Sequence, residues 1–124
     1  MFTHVTLGTN DLNKARAFYD AVLPTLGYQN MANKENASVW GGAGPRFVVL
    51  KPADGNAASA GNGGTVGFMA PSRKVVDEFH RLALQAGGID AGAPGLRDFG
   101  PNVYAAYVRD LDGHKIVATC TNTE

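Results

Sequence analysis

An internal repeat with an offset of 61 residues most constrains the fold of this chain of 124 residues. A repeat at one constant offset is the signature of a duplicated structural unit. Halves of about 60 residues are marginally stable alone, so they must share a core or pair with another chain. We therefore predict two similar modules with a cleft between them. The matches are His4 to Leu7 with Thr65 to Phe68, Phe18 with Phe79, and Gly27 with Gly88.

The composition argues against several classes of function. The chain has 11 basic and 11 acidic side chains. It lacks the basic face or run of residues with which proteins usually bind nucleic acids or anionic membranes. No apolar stretch approaches the roughly 20 residues that span a bilayer, and the N-terminus reads as a strand and not as a signal peptide. The single cysteine, Cys120, excludes an intrachain disulfide. We expect a cytoplasmic protein that binds neither nucleic acid nor membranes.

Hydrophobic periodicity predicts the order βαβββ in the first half. Alternation indicates a strand from Phe2 to Thr9, and Asn10-Asp11 provides helix-capping side chains. An apolar stripe at helical spacing follows, which Pro24 interrupts and Gly27 ends. The three further strands expected here are Tyr28 to Met31, Ala37 to Trp40 and Arg46 to Lys51.

The second half repeats this order after a linker at residues 53–64, which are mostly Ala, Gly, Asn and Asp. We expect one domain, residues 1–124, with module one at 1–52 and module two at 65–121. Its fold class is α+β: two tandem βαβββ modules form a curved, mixed, mostly antiparallel sheet around a cleft. The expected elements are a strand at Thr65 to Ala70, a helix from Ser72 to Gly87-Gly88, and strands at Ile89 to Ala91, Val103 to Arg109 and His114 to Thr121.

Several segments, in this order, resemble the vicinal oxygen chelate superfamily. That superfamily contains glyoxalase I, extradiol dioxygenases, fosfomycin-modifying enzymes and bleomycin-binding proteins. The chain is most similar to a bacterial glyoxalase-like branch without an assigned substrate, and the resemblance implies a fold but not a reaction. The segments that carry it are His4 to Leu7, Asp11-Leu12, Phe18-Tyr19, Leu26 to Tyr28, Thr65 to Phe68, Ala91 to Arg97 and Tyr104 to His114.

The resemblance also implies where a metal would bind. In metal-dependent members, the first and last strands of each module give one ligand each. These positions correspond here to His4, a residue within Phe47 to Leu50, Thr65 and Val117. Only His4 is a good donor, whereas a transition-metal site needs about three protein ligands. We therefore expect neither a metal nor another cofactor.

Strand alternation predicts which side chains line the cleft. His4, Thr6, Thr65 and Val117 are expected there, because their apolar neighbours are needed on the side that the helices cover. His4 is also the candidate general base, since histidine titrates near neutral pH; the alternative is an inherited histidine with a hydrogen bond inside the cavity. The other two histidines, His80 and His114, are expected at the surface.

Aromatic and loop residues complete the expected ligand site. Arg97 either clamps a carboxylate or phosphate or is a surface arginine. Each aromatic candidate either stacks on a ligand or packs in the core. Arg97, Phe99 and Tyr104 are expected at the rim of the cavity, and the further aromatic candidates are Trp40, Phe47 and Tyr107.

Three functions stay open at this point. The first is a small-molecule-binding protein of the bleomycin-resistance type, which takes a planar or amphipathic ligand without metal. The second is a lyase, isomerase or dioxygenase that uses an atypical metal site or none. The third is an interaction module whose cleft forms only at a dimer interface. The three vacant ligand positions favour the first.

A homodimer with twofold symmetry is the expected assembly, with the modules paired inside one chain or exchanged between chains. The resemblance indicates a dimer, and a sheet curved around a cleft exposes apolar faces and edges that a second copy can cover. Light scattering at micromolar concentration should give twice the 13.0 kDa mass of the chain. The mass of a single chain would contradict the prediction.

Overall fold

The computed structural model describes all residues from Met1 to Glu124 and contains βαβββ twice, as the repeat predicts. Module one comprises β1 (His4–Gly8), α1 (Leu12–Val22), a 3-10 helix (Leu23–Leu26), β2 (Gln29–Asn33), β3 (Ala37–Gly41) and β4 (Arg46–Leu50). Module two comprises β5 (Thr65–Met69), α2 (Arg73–Gln85), β6 (Ile89–Leu96), β7 (Tyr104–Arg109) and β8 (Lys115–Cys120).

Each module forms its own four-stranded mixed sheet, in the orders β1-β4-β3-β2 and β5-β8-β7-β6. The first and last strands of each module are parallel, and the other neighbours are antiparallel. The α+β class is confirmed. The two sheets remain separate, because β1 pairs only with β4 and β5 only with β8. The gap between β1 and β5 is called the seam.

Local signals set the ends of the helices where the sequence predicts them. The side chain of Asp11 accepts the backbone N–H of Lys14 at 3.1 Å, and Ser72 accepts that of Val75 at 3.2 Å. Each is an N-cap, which satisfies a backbone donor in the first turn. After α1 the chain tightens into the 3-10 helix that contains Pro24, and Gly27 ends it with φ 82°. Neither helix is long and apolar enough to cross a membrane.

Both helices pack on the same side of the sheets. One cluster of 20 buried residues contains side chains from α1, α2 and both sheets. At the seam, the rings of Phe47 and Phe68 lie 5.3 Å apart, edge to face. The opposite side of both sheets carries no helix and is called the open face. The two modules therefore share one core, as halves of this size require.

A buried carboxylate, that of Asp110 in the turn between β7 and β8, connects the modules. Its Oδ2 accepts the hydroxyl proton of Tyr19 from α1, and its Oδ1 accepts the backbone N–H groups of Asp112 and His114 at 2.9 Å each. Asp110 is 5% exposed and Tyr19 is 1% exposed. A hydrogen bond to a charged, buried acceptor contributes more than a neutral surface one.

His114 makes the second polar connection between the modules, across the seam. Its Nε2 lies 2.7 Å from the carbonyl oxygen of Gly8 at the end of β1. A carbonyl oxygen only accepts, so Nε2 carries a proton. The expectation of a surface position for His114 is wrong: the residue is 8% exposed, because its ring reaches from the turn before β8 to the end of the edge strand β1.

Tyr19→Phe should lower the free energy of unfolding at pH 7 by about 1.5–3 kcal/mol, since a buried hydrogen bond to a charged group is lost. Tyr28→Phe is the matched control, because its hydroxyl donates to the neutral carbonyl of Pro45 at 2.6 Å within module one. It should cost about 0.5–1.5 kcal/mol. Urea denaturation measures both changes. Equal losses in the free energy of unfolding would contradict the expectation that the hydrogen bond to Asp110 is the stronger of the two.

The same pair predicts how stability depends on alkaline pH. Burial, and next the negative charge of Asp110, raise the pKa of Tyr19 well above its ordinary value. Above about pH 10 the unfolded tyrosine loses its proton while the folded one keeps it. The free energy of unfolding therefore falls as pH rises, by about 1.4 kcal/mol per pH unit from this group. Tyr19→Phe should show a correspondingly smaller slope in urea titrations, and an unchanged slope would contradict this origin.

Candidate functional site

A cavity of about 390 Å³ lies at the seam, and both modules and the linker form its walls. This seam cavity lies where the end of β1 meets the start of β5. Its lining residues are Thr6, Leu7, Gly8, Ser59, Gly61, Gly64, Thr65, Val66, His114 and Lys115.

Strand alternation places the polar groups of the cavity. Thr6 and Thr65 lie on the open face, because Leu7 and Val66 pack toward the core on the other side. In the parallel register of β5 and β8, Thr65 lies opposite Lys115. The wall therefore combines two hydroxyl groups with one ammonium group. Hydroxyls donate and accept hydrogen bonds, whereas an ammonium only donates.

The linker is held against β1 by side-chain hydrogen bonds. The Asn10 amide oxygen accepts the N–H of Ala58 at 2.7 Å, and its amide nitrogen donates to the Ala58 carbonyl at 3.1 Å. A Cβ at Gly8 would lie 3.1 Å from the Cβ of Ala58, so glycine permits this close approach. The linker has no regular secondary structure, yet this attachment keeps it in place as the outer wall of the cavity.

A tyrosine with two flanking cations lies next to the cavity on the open face of module two. The Nζ of Lys115 is 5.0 Å from the centroid of the Tyr107 ring, and the guanidinium carbon of Arg97 is 5.5 Å from it. Both distances are within the range of cation–π contacts. Arg97 lies over Gly92 and donates to the carbonyl of Ala93 at 2.7 Å. A Cβ at Gly92 would lie 3.1 Å from Tyr107 and 3.2 Å from Arg97, so this packing depends on glycine.

Two of the expected aromatic ligand contacts are core residues instead, and a third is partly buried against a helix. Trp40 and Phe47 are 0% and 1% exposed, because they lie opposite each other in the register of β3 and β4 on the side that α1 covers. The Trp40 ring nitrogen donates to Asp20 of α1 at 2.9 Å. Tyr104 faces α2, where its hydroxyl donates to Asp77 at 2.6 Å. Their expected places in the cavity are therefore corrected.

The remaining expected residues are distributed around the cavity. Thr6 and Thr65 line it. His4 is exposed at the start of β1, outside the cavity, with its Nδ1 2.8 Å from the hydroxyl of Thr3. Val117 has the expected open-face register opposite Gly67 but is 7% exposed and does not line the seam cavity. Arg97 contacts Tyr107 and the carbonyl of Ala93 but does not line the cavity. Phe99, 75% exposed, lies in the loop between β6 and β7.

Sequence reasoning did not identify Lys115 and His114 as cavity residues. The signal for Lys115 was present, since it lies two positions before Val117 and so shares the open face of β8. No pattern in the sequence shows that a histidine after an Asp-Gly turn reaches across to β1. That contact depends on how the two modules meet.

The side chains do not fit a bound transition metal. No group of three or more His, Cys, Asp or Glu side chains comes together anywhere in the chain. Of the four positions that the resemblance implies, only His4 offers a good donor. The others are Thr65, Val117 and one residue of the run Phe47 to Leu50, which contains only phenylalanine, valine and leucine. Aliphatic side chains have no lone pair to donate, and a site of this kind needs about three N, O or S donors. We therefore derive no chemistry through a metal.

A larger cavity, of about 640 Å³, lies between module one and the linker. Asn36, Lys51 and Asn56 are among its polar groups. It contains no residue of module two, and the Asn10 amide that contributes to it already binds Ala58 through both of its polar atoms. It is therefore a weaker candidate than the cavity to which both modules contribute.

Comparisons with solved structures agree with this architecture. A glyoxalase/bleomycin resistance protein from Albidiferax ferrireducens is 40% identical, with a TM-score of 0.90 over 98% of this chain and 99% of that one. A glyoxalase/bleomycin resistance protein/dioxygenase family enzyme from Burkholderia phytofirmans is 15% identical, with a TM-score of 0.76 over 97% and 98%. The fosfomycin resistance protein FosX from Listeria monocytogenes is 18% identical, with a TM-score of 0.73 over 96% and 88%. The last two similarities concern the fold alone.

The family comparison agrees with these structures. Among curated proteins, none matches this sequence at a significant level. The family model of the Glyoxalase/Bleomycin resistance protein/Dioxygenase superfamily matches residues 1–118. The match covers both modules and the linker, and the first of the structures above shares 40% of its residues with this chain. The chain belongs to the Glyoxalase/Bleomycin resistance protein/Dioxygenase superfamily.

Proposed function

We propose that this protein binds a small organic molecule in the seam cavity, without a metal ion. The observation that carries the proposal is the position and size of the cavity. Both modules form its walls, and its volume of about 390 Å³ lies in the range of small-molecule sites, roughly 300–1,000 Å³. The similar protein of Albidiferax ferrireducens is described as a glyoxalase/bleomycin resistance protein, which also supports the proposal.

The chemistry of the cavity wall supports binding more than catalysis. General acid–base catalysis needs a titratable group within hydrogen-bond reach of the reacting atom. The Nε2 of His114 is engaged by the carbonyl of Gly8, and His4 lies outside the cavity beside Thr3. No carboxylate lines the cavity, so neither histidine has a partner there that would orient it as a base. The hydroxyls of Thr6 and Thr65 and the ammonium of Lys115 remain as groups that orient a ligand.

The absence of a functional metal stays a prediction that elemental analysis can test. Protein purified without an affinity tag should contain far less than one Zn, Ni, Mn or Fe per chain. Incubation with Zn²⁺ followed by desalting should not change this, because a single histidine is a weak site. About one equivalent of metal, lost in His4→Ala, would contradict the prediction.

Thr65→Trp should abolish ligand binding by filling the seam cavity. Met69→Trp is the matched control, since Met69 is 83% exposed, lies on the same face of β5 and is no part of the cavity wall. Both variants and the parent protein are screened by thermal shift, in EDTA, against a library of cationic, neutral and anionic metabolites. At a hundredfold excess over Kd, a ligand should raise Tm by about 10 °C in the parent and in Met69→Trp only.

Two results would contradict the proposed function. One is that no compound stabilises the parent protein. The other is that a stabilising compound acts equally on folded Thr65→Trp, which would place the site elsewhere. Circular dichroism of each variant without ligand establishes that it is folded.

A further inference from the structure

The charged side chains are unevenly distributed over a protein whose formal net charge is zero. Among the eight strands there is one acidic residue, Asp90, and its carboxylate turns toward α2 and accepts a hydrogen bond from His80 at 2.9 Å. The three basic residues in strands are Arg46, Arg109 and Lys115, and all three belong to the open-face register. The other carboxylates lie on helices, turns, the linker and the termini. The open face is therefore cationic, although the whole chain is neutral.

Lys115 of this face lies close to a fourth cation, Arg97, which follows β6, and no carboxylate is paired with either of them. Lys115 and Arg97 both lie against the ring of Tyr107, at 5.0 Å and 5.5 Å from its centroid. The two ion pairs of the protein, His80 with Asp90 and Arg81 with Glu78, are elsewhere. Like charges that share one platform repel each other, and a bound anion removes that repulsion. Tyr107 therefore holds two positive charges beside the seam cavity.

Lys115 connects this pair of cations to the proposed ligand site, because it also lines the seam cavity. Thr6 and Thr65 add hydroxyl donors to the same wall. Together they offer one charged donor and two neutral donors, a set that suits carboxylate or phosphate oxygens. A cationic ligand would meet the ammonium of Lys115 with no carboxylate nearby to offset the repulsion.

We propose that the ligand of the seam cavity is a small organic anion, a carboxylate or a phosphate monoester, held by Lys115 with Arg97 as the second positive charge across Tyr107. The inference rests on the proposed function and specifies the class of molecule that the same site selects. Lys115 contacts the anion directly. Arg97 does not line the cavity and acts by its field, so its contribution is the smaller of the two.

The experiment compares probes that share one aromatic ring and differ in charge. Benzoate and phenyl phosphate are the anions, benzamide is the neutral probe and benzamidine is the cation, with inorganic phosphate as an anion that has no ring. Amide chemical shifts of the ¹⁵N-labelled full chain report binding at Gly64, Thr65 and Lys115. We expect benzoate or phenyl phosphate to shift these amides with saturation, and benzamide and benzamidine to bind at least roughly tenfold more weakly. A response to phenyl phosphate or inorganic phosphate alone would identify phosphate as the preferred group.

Charge-removing variants test the assigned residues. Lys115→Gln should weaken binding of the anionic probe by about tenfold or more, the size expected for a lost charge-assisted hydrogen bond, and Arg97→Gln by a few-fold. Lys115→Arg keeps the charge and should retain most of the affinity. Lys74→Gln is the matched control, because it removes the same charge from the exposed surface of α2 and should leave affinity unchanged.

The outcomes separate this inference from the proposed function. If benzamide or benzamidine binds at these amides as tightly as benzoate, or if Lys115→Gln binds the anion as tightly as Lys74→Gln, the anion assignment is overturned while the cavity remains a binding site. If no probe of any charge shifts these amides and the metabolite library contains no ligand, both proposals fail. A dispersed amide spectrum of each variant establishes that a loss of binding is not a loss of fold.

Discussion

The hydrogen bond between Tyr19 and Asp110 is the contact on which the arrangement of the two modules most depends. It joins α1 of module one to the last turn of module two inside the shared core. The same carboxylate fixes the turn that carries His114, through the backbone N–H groups of Asp112 and His114. A buried carboxyl group that lost its donors would be left without hydrogen-bond partners, which is costly in a core. Any change at Asp110 therefore acts on the position of β1 relative to β5.

The seam lies between two edge strands, whose exposed backbone groups must find hydrogen-bond partners. β1 and β5 do not pair with each other, so their facing backbone groups need other partners or water. The Gly8 carbonyl accepts a hydrogen bond from the His114 ring, and the linker covers the end of β1 through the contact of Asn10 with Ala58. A cavity remains where side chains replace a ladder of backbone hydrogen bonds. The duplication therefore produces a ligand-sized space because its two edge strands stay apart.

Local patterns in the sequence predicted the helices and strands, but they did not predict the position of every side chain. The repeat, the caps at Asp11 and Ser72 and the stop at Gly27 are short-range features, and each agrees with the structure. Alternation along β1 and β5 placed Thr6 and Thr65 on the open face. Trp40 and Phe47 were misplaced because residue type alone does not distinguish an aromatic that binds a ligand from one that fills a core. His114 was misplaced because its partner, Gly8, is distant in sequence and close only after the modules dock.

The attachment of the linker has a consequence for how relatives of this chain diverge. One wall of the seam cavity is a segment without regular secondary structure, which the side chain of Asn10, two residues after β1, holds through Ala58. Loops of this kind accept insertions and substitutions at small cost in loop entropy. Substitutions, insertions or deletions among the roughly dozen residues of the linker can therefore change the size and lining of the cavity. The two modules and their aromatic core need not change.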